Sequence, residues 1–130
     1  MKERIPFLNR GPLVAVIRLN GSIGTGSRSQ LNDEALAPVI EKAFKRGKPR
    51  AVALLINSPG GSPVQSSLIA SRIRRLADEK NIPVHAFVED VAASGGYWLA
   101  TAAESIWVDE ASIVGSIGVI SSSFGAPVLL

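Results

Sequence analysis

The chain has 130 residues, of which 46% are hydrophobic and 19% are charged. These proportions are typical of one globular domain and exclude a wholly disordered chain. The absence of cysteine excludes disulfides, thiolate zinc sites and a thiol nucleophile, and the one histidine, His85, excludes a transition-metal site of the usual kind, so we expect no cofactor.

The net charge of +3 is unevenly distributed along the chain. Residues 1–80 contain all 14 basic residues and 6 acidic ones, a net charge of +8, whereas residues 81–130 contain 5 acidic residues and no basic ones. The basic stretches lack the interleaved aromatic residues of nucleic-acid binding segments, so we interpret them as solvated helix faces and expect no nucleic-acid partner. No secretory signal or apolar run of membrane-span length is visible, which indicates a cytoplasmic protein and leaves association with a membrane open.

The first half of the chain alternates strand and helix patterns. Leu13–Leu19 is apolar and predicts a buried strand, and a glycine-rich loop follows it. A helix is predicted between an Asn32 N-cap and a Gly47 stop. Ala51–Asn57 is apolar on both faces, which favours an interior parallel strand. A second helix is predicted to start with a capping box, formed by Ser62, Pro63 and Gln65.

The second half continues the alternation with shorter elements. A strand is predicted over Pro83–Val88, a turn over Asp90–Gly96 and a helix over Tyr97–Ala103. A short strand over Ser105–Val108 and a β-like segment over Ile113–Ile120 follow. Such alternation predicts an α/β domain with a mainly parallel sheet. The apolar end of the chain, Phe124–Leu130, carries no stop signal and indicates that the sequence is cut within an element.

Two glycine-rich motifs stand between a strand and a helix. Asn57-Ser58-Pro59-Gly60-Gly61 precedes the capped second helix, where outward-facing amide N–H groups suit a developing oxyanion. Ala92-Ala93-Ser94-Gly95-Gly96 also follows a strand, and a serine at such a turn presents its hydroxyl at the end of the sheet. Taken singly, each motif is more often a structural turn or a close helix–strand contact.

Together the two motifs resemble those of peptidase family S49, the signal peptide peptidase A group, and more distantly those of the ClpP proteases. The resemblance runs from about residue 13 to residue 130. It implies a ClpP/crotonase-like fold with repeated β-β-α units and a mainly parallel sheet. It also implies one incomplete S49 peptidase domain over residues 1–130, with an N-terminal segment at 1–12 and a core at 13–130.

The resemblance also implies the roles of three residues. Ser94 matches the family's nucleophile, and Gly61 and Gly95 match the positions whose N–H groups form the oxyanion hole. The family is a serine endopeptidase family with a Ser–Lys dyad, acting on peptides such as cleaved signal peptides and assembling as homo-oligomers. Its lysine follows the serine by about fifty residues, beyond residue 130, so we expect this fragment to be inactive by itself.

A ClpP-type histidine is the alternative to a lysine base. Such a histidine would follow the serine by about 25 residues, where this chain has Val119-Ile120. His85 precedes Ser94 and lies within a predicted strand, so we interpret it as structural. Two other functions stay open at this point: a crotonase-type acyl-CoA enzyme, which the Ala-Ala-Ser-Gly-Gly turn disfavours, and a non-catalytic scaffold of the same fold.

Other polar and aromatic residues suggest structural roles. Asp109-Glu110 predicts a solvated turn, and Ser121-Ser122-Ser123 predicts a loop or strand edge. Trp98 and Trp107 are interpreted as core or subunit contacts.

Overall fold

The computed structural model describes residues 11–27 and 31–118. Within these residues the chain forms five strands, β1 (Val14–Asn20), β2 (Ala51–Ser58), β3 (Val84–Ala93), β4 (Ser105–Trp107) and β5 (Ile113–Gly115). It also forms three helices, α1 (Asp33–Lys45), α2 (Pro63–Lys80) and α3 (Gly95–Ala100). A helix follows each of the first three strands, and β4 and β5 then follow α3 without a helix between them. Most of the predicted N-terminal segment, residues 1–12, lies outside the described residues. Ser121-Ser122-Ser123 and the end of the chain lie wholly outside them.

The strands form one sheet in which all observed pairings are parallel. The order is β1-β2-β3-β4, and β5 also pairs with β3. Because the strands are parallel, their carboxyl ends meet at one edge of the sheet, which is where both glycine-rich motifs lie. The mainly parallel sheet predicted from the sequence is therefore present.

The helices cover one face of this sheet. Alternate strand residues such as Ile17, Leu54 and Ala86 are in register and fully or almost fully buried. They form one core with the buried helix residues, including Ile40 and Ile73. The remaining strand residues point to the other face and are half-buried or exposed.

The first strand differs from its prediction. Leu13–Leu19 was predicted to be a buried strand, yet β1 is the edge strand of the described sheet, and Val14 and Val16 are more than half exposed. Only Ile17 and Leu19 are fully buried in it. A continuous apolar run does not by itself distinguish an interior strand from an edge strand with one open face.

Polar contacts fasten α1 to α2. The Ser62 hydroxyl accepts from the Gln65 N–H at 3.1 Å, as the predicted capping box requires. The second half of the box is wrong, because the Gln65 side chain accepts from the Asp33 N–H at 2.8 Å and so caps the neighbouring helix. Arg72 donates two hydrogen bonds to the Asp33 carboxylate, at 2.9 and 3.0 Å, and so links α2 to the start of α1.

The third strand is longer than predicted. Pro83–Val88 was predicted as a strand and Asp90–Gly96 as a turn, but β3 continues to Ala93. A β-bulge separates its two halves: Val88 is opposite Ile56, and the next paired residue, Ala92, is opposite Ser58. β4 pairs with the first half and β5 with the second. Glu89 and Asp90, the latter the first residue of the predicted turn, lie in this irregular stretch.

Candidate active site

Ser94 occupies a strained turn at the carboxyl end of β3. Its backbone angles are φ 54° and ψ −121°, a conformation that residues with a Cβ atom rarely adopt. α3 starts at the next residue, and the Ser94 side chain makes no capping hydrogen bond to it. The hydroxyl is therefore free of the helix at a sharp strand-to-helix turn, the arrangement of a nucleophile elbow.

The other glycine-rich motif, which follows β2, lies directly against this turn. We call residues 58–62 the glycine turn and residues 92–96 the serine turn. A Cβ atom added to Gly60 would lie 2.8 Å from the Gly95 nitrogen and 2.9 Å from the Ser94 Cβ atom. Gly60 and Gly61 have φ angles of +103° and +147°, which favour glycine. The fold thus brings together two motifs that are more than thirty residues apart in the sequence.

Ile23 holds the glycine turn through two backbone hydrogen bonds. The Ile23 N–H donates to the Gly60 carbonyl at 3.0 Å, and the Ser62 N–H donates to the Ile23 carbonyl at 2.8 Å. Successive backbone N–H groups of an extended segment point to opposite edges, so the Gly61 N–H points away from Ile23. Neither the Gly61 N–H nor the Gly95 N–H donates a hydrogen bond to another described residue.

Close packing explains why the serine turn contains two glycines. A Cβ atom on Gly96 would lie 2.3 Å from the Ser58 carbonyl oxygen, and one on Gly95 would lie 2.3 Å from the Ser66 hydroxyl oxygen. Both glycines belong to α3, which was predicted to begin only at Tyr97. Ser58 and Ser66 are fully buried, and no pattern in the sequence indicated a role for either hydroxyl.

A pocket of about 80 Å³ lies beside Ser94. Its lining includes all three residues that the resemblance implicated, together with four others: Gly61, Ser94, Gly95, Pro63, Trp98, Ile117 and Gly118. None of these side chains is charged, and the walls are mainly apolar. The interpretation of Trp98 as a core or subunit contact is wrong in its first part, because the residue is exposed and lines the pocket. Trp98 follows Ser94 by about one helical turn, and no pattern in the sequence indicated that it lines a pocket.

The potential bases within the described residues lie elsewhere. His85 lies in the first half of β3, where its Nδ1 atom is 2.6 Å from the Ser105 hydroxyl. Nine residues of strand, at about 3.3 Å each, place it more than about 20 Å from Ser94. The lysines that end α1 and α2, such as Lys45 and Lys80, lie at the opposite edge of the sheet, because each helix runs back to the start of the next strand.

Residues 11–27 and 31–118 contain no group of three acidic or histidine side chains that could hold a metal ion. The helices of the same part of the chain include none long and apolar enough to span a membrane. Asp109-Glu110 forms an exposed turn as predicted, in which the Asp109 carboxylate accepts from the Ala111 N–H at 2.8 Å.

Comparisons with known proteins agree with the fold and with the motifs. The sequence model of the family described as "Peptidase family S49" matches residues 77–126. The chloroplastic serine protease SPPA of Arabidopsis thaliana is 38% identical over 117 residues, which are 85% of this chain and 17% of that protein. A solved structure of a membrane-bound stomatin-specific protease, 1510-N, matches with a TM-score of 0.66 and 21% identity, covering 88% of this chain and 53% of that one.

A further relative carries a different description. The Na⁺/H⁺ antiporter NhaA of Brucella melitensis is 55% identical over 120 residues, which are 90% of this chain and 16% of that protein. Because so little of that protein is shared, the transport named in its description is not assigned to this chain. The eight curated relatives with the strongest matches are all much longer, and the chain spans between 16% and 36% of their lengths.

The fold is an α/β fold of the ClpP-like class found in S49 proteases, and this confirms the predicted fold class. The chain belongs to peptidase family S49. Ser94, Gly61 and Gly95, the three residues that the resemblance implicates, line one pocket.

Proposed function

We propose that the protein containing this chain is a serine endopeptidase in which Ser94 is the nucleophile. The observation that supports this most strongly is the convergence of Ser94, Gly61 and Gly95 on one uncharged pocket. The strained backbone of Ser94 presents its hydroxyl there, and the neighbouring Gly61 and Gly95 N–H groups donate to no other residue that the structure describes.

The reaction follows from these groups. The Ser94 oxygen attacks the scissile carbonyl carbon, its proton passes to a base, and the carbonyl oxygen becomes an oxyanion. The Gly61 and Gly95 N–H groups donate to that oxyanion, a contribution of about 10²–10³ in rate for each well-placed donor. The amine leaves with a proton returned by the base, and water then hydrolyses the acyl-enzyme by the same route.

The base is proposed to be a lysine supplied from outside residues 1–130, as the family resemblance implies. A lysine accepts the serine proton only when it is neutral, so its pKa must be lowered by burial or by nearby positive charge. The uncharged walls of the pocket provide surroundings that disfavour a charged amine. None of the described lysines lies near Ser94, which supports a base from elsewhere in the intact protein or from another subunit of a homo-oligomer.

The proposed substrates are extended peptides with small or apolar residues near the cut, such as cleaved signal peptides. The pocket walls at Trp98 and Ile117 suit an apolar side chain. β5 pairs with β3 beside the serine turn, and its other edge has no strand partner among the described residues. An extended peptide pairing with that edge would pass next to Ser94.

The test uses the intact protein encoded by the uninterrupted reading frame. It is treated with a fluorophosphonate probe, and the adduct is located by mass spectrometry in the unmodified protein and in Ser94→Ala and Ser71→Ala variants. We expect labelling at Ser94, its loss in Ser94→Ala, and no change in Ser71→Ala, which alters an exposed serine of α2. Absence of labelling in a folded, assembled protein would reject the peptidase and favour a non-catalytic scaffold.

A further inference from the structure

Two residues of the glycine-rich motif have no part in the reaction described above. Asn57 and Ser58 are the last two residues of β2, and successive residues of a strand point to opposite faces. Ser58 is fully buried, and its hydroxyl accepts from the Gly60 N–H at 3.1 Å, which steadies the glycine turn. Asn57 points to the other face, where it contacts β3.

The Asn57 side chain occupies the β-bulge of β3. Between the Ile56–Val88 and Ser58–Ala92 pairs, one residue of β2 lies opposite three residues of β3. The backbone ladder is interrupted there. The Asn57 Oδ1 atom accepts from the Val91 N–H at 3.1 Å, and its Nδ2 atom lies 3.4 Å from Asp90 Oδ2, at the long end of hydrogen bonding. The side chain thus replaces a missing strand-to-strand hydrogen bond.

This contact lies close to the serine turn. Val91 is three residues before Ser94, and the intervening Ala92 and Ala93 are in regular strand. On the opposite edge of β3, the Ser94 N–H donates to the Gly115 carbonyl at 2.7 Å. The serine turn is therefore held by Asn57 from the β2 side and by Gly115 from the β5 side. Loss of the Asn57 contact would loosen the β2 side, where the Ser58–Ala92 pair would remain, while the Ser58 hydroxyl would still hold the glycine turn.

We propose that Asn57 is a positioning residue that sets the place of Ser94 relative to the Gly61 N–H. The proposal rests on the proposed function, because it assigns Asn57 a role in the same site. Displacement of a reacting group by about 1 Å can cost about 10²-fold in rate, even when the fold is intact. The expected effect of losing the Asn57 contact is therefore on the reactivity of Ser94 and less on the stability of the domain.

The experiment compares variants of the intact protein by the rate constant at which a fluorophosphonate labels Ser94. We expect Asn57→Ala to label about 10- to 100-fold more slowly than the unmodified protein. In peptide hydrolysis we expect kcat to fall by a similar factor, with KM changed less than about twofold. The matched control is Asn20→Ala, because Asn20 is the register partner of Asn57 at the end of β1 and is exposed.

An exchange of side chains tests the geometry directly. Asn57→Asp places a second carboxylate beside Asp90, and we expect slow labelling from the repulsion between them. Combining Asn57→Asp with Asp90→Asn keeps the acceptor for the Val91 N–H and restores a donor–acceptor pair between positions 57 and 90, with the donor now on residue 90. We expect this double variant to recover at least about tenfold of the rate lost in Asn57→Asp. If position 57 had a purely structural role, the labelling rate would not recover in the double variant while its thermal stability stayed equal to that of Asn57→Asp.

Hydrogen exchange separates the two proposals. In Asn57→Ala we expect faster amide exchange in a peptide that covers residues 90–96, with no such change in Asn20→Ala. If the unmodified protein does not label but this exchange changes, the peptidase proposal fails and the positioning of the turn by Asn57 stands. If Asn57→Ala exchanges and labels like Asn20→Ala, or the double variant recovers nothing, the Asn57 proposal is overturned.

Discussion

Gly60 lies so close to Ser94 that a Cβ atom on the glycine would come within 2.9 Å of the serine Cβ atom. The same added atom would lie 2.7 Å from the Ala93 carbonyl oxygen, which is backbone and cannot rotate away. The proposed nucleophile and the proposed oxyanion-binding turn thus share one van der Waals contact, and the absence of a side chain at Gly60 permits it.

The first prediction concerns this contact. Gly60→Ala forces the glycine turn and the serine turn apart and also strains a residue at φ +103°. We expect the free energy of unfolding to fall by about 2–4 kcal/mol and Ser94 labelling to slow by at least about 10²-fold. Urea unfolding and probe labelling of the intact protein measure the two effects. Gly26→Ala is the control, since nothing lies within 4 Å of an added Cβ atom there; equal stability of the two variants would contradict the prediction.

The second prediction concerns Gly95 and Ser66. An added Cβ atom on Gly95 would lie 2.3 Å from the Ser66 hydroxyl oxygen but 3.4 Å from the Ser66 Cβ atom, an ordinary contact. We therefore expect Gly95→Ala to destabilise the protein by about 1–3 kcal/mol, and Ser66→Ala to relieve at least about 1 kcal/mol of that loss when the two are combined. A double-mutant cycle by urea unfolding measures the coupling. If the two losses in free energy of unfolding simply add in the double variant, the Ser66 hydroxyl is not the group that clashes with the added Cβ atom.

The third prediction concerns the backbone of Ser94. Its φ of 54° strains any residue with a Cβ atom, whereas glycine adopts it readily. Strain relief of about 1–3 kcal/mol exceeds the cost of glycine's greater freedom in the unfolded chain, about 0.4–1 kcal/mol. We expect Ser94→Gly to be about 1 kcal/mol more stable than Ser94→Ala, with both inactive. Thermal and urea unfolding compare them, and an equally stable alanine variant would mean that the turn relaxes.

The fourth prediction concerns pH. The hydrogen bonds from Arg72, and then the positive charges of Arg72 and Arg75, hold the pKa of Asp33 below its ordinary value. A carboxyl group whose pKa is lower in the folded state stabilises the fold above its unfolded pKa, near 3.9, and loses that contribution as the pH falls through its folded pKa. We expect Asp33→Asn to be about 1–2 kcal/mol less stable at pH 7, with the difference shrinking as the pH falls through the folded-state pKa of Asp33.

Urea unfolding from pH 7 to pH 2.5 measures this dependence. Asp78→Asn is the matched control, because Asp78 pairs with Arg74 within α2 and its side chain is 69% exposed. Exposed pairs contribute at most about 1 kcal/mol. A loss of stability in Asp33→Asn that persists unchanged at pH 2.5 would show that its cause is not the ionised carboxylate.

The sequence by itself determined the order of the elements, the parallel sheet and the placement of both glycine-rich motifs at strand ends. These follow from local features: apolar runs of strand length, the Ser62 cap and the glycines that permit sharp turns. It also singled out Ser94, Gly61 and Gly95, because their motifs resemble those of a family. It did not determine where β3 ends, since the polar Glu89-Asp90 pair imitates a turn.

Only the tertiary structure decided which residues support the site. Gly95 and Gly96 begin α3 although glycine has a low helix propensity. These positions are glycine because Ser58 and Ser66 leave no room for a Cβ atom. Asn57 contacts Val91, which is 34 positions away in the sequence, through a bulge that no local pattern predicts. Hydrophobic periodicity reports which face of an element is buried, whereas contacts between strand ends depend on register and on close packing of the whole sheet.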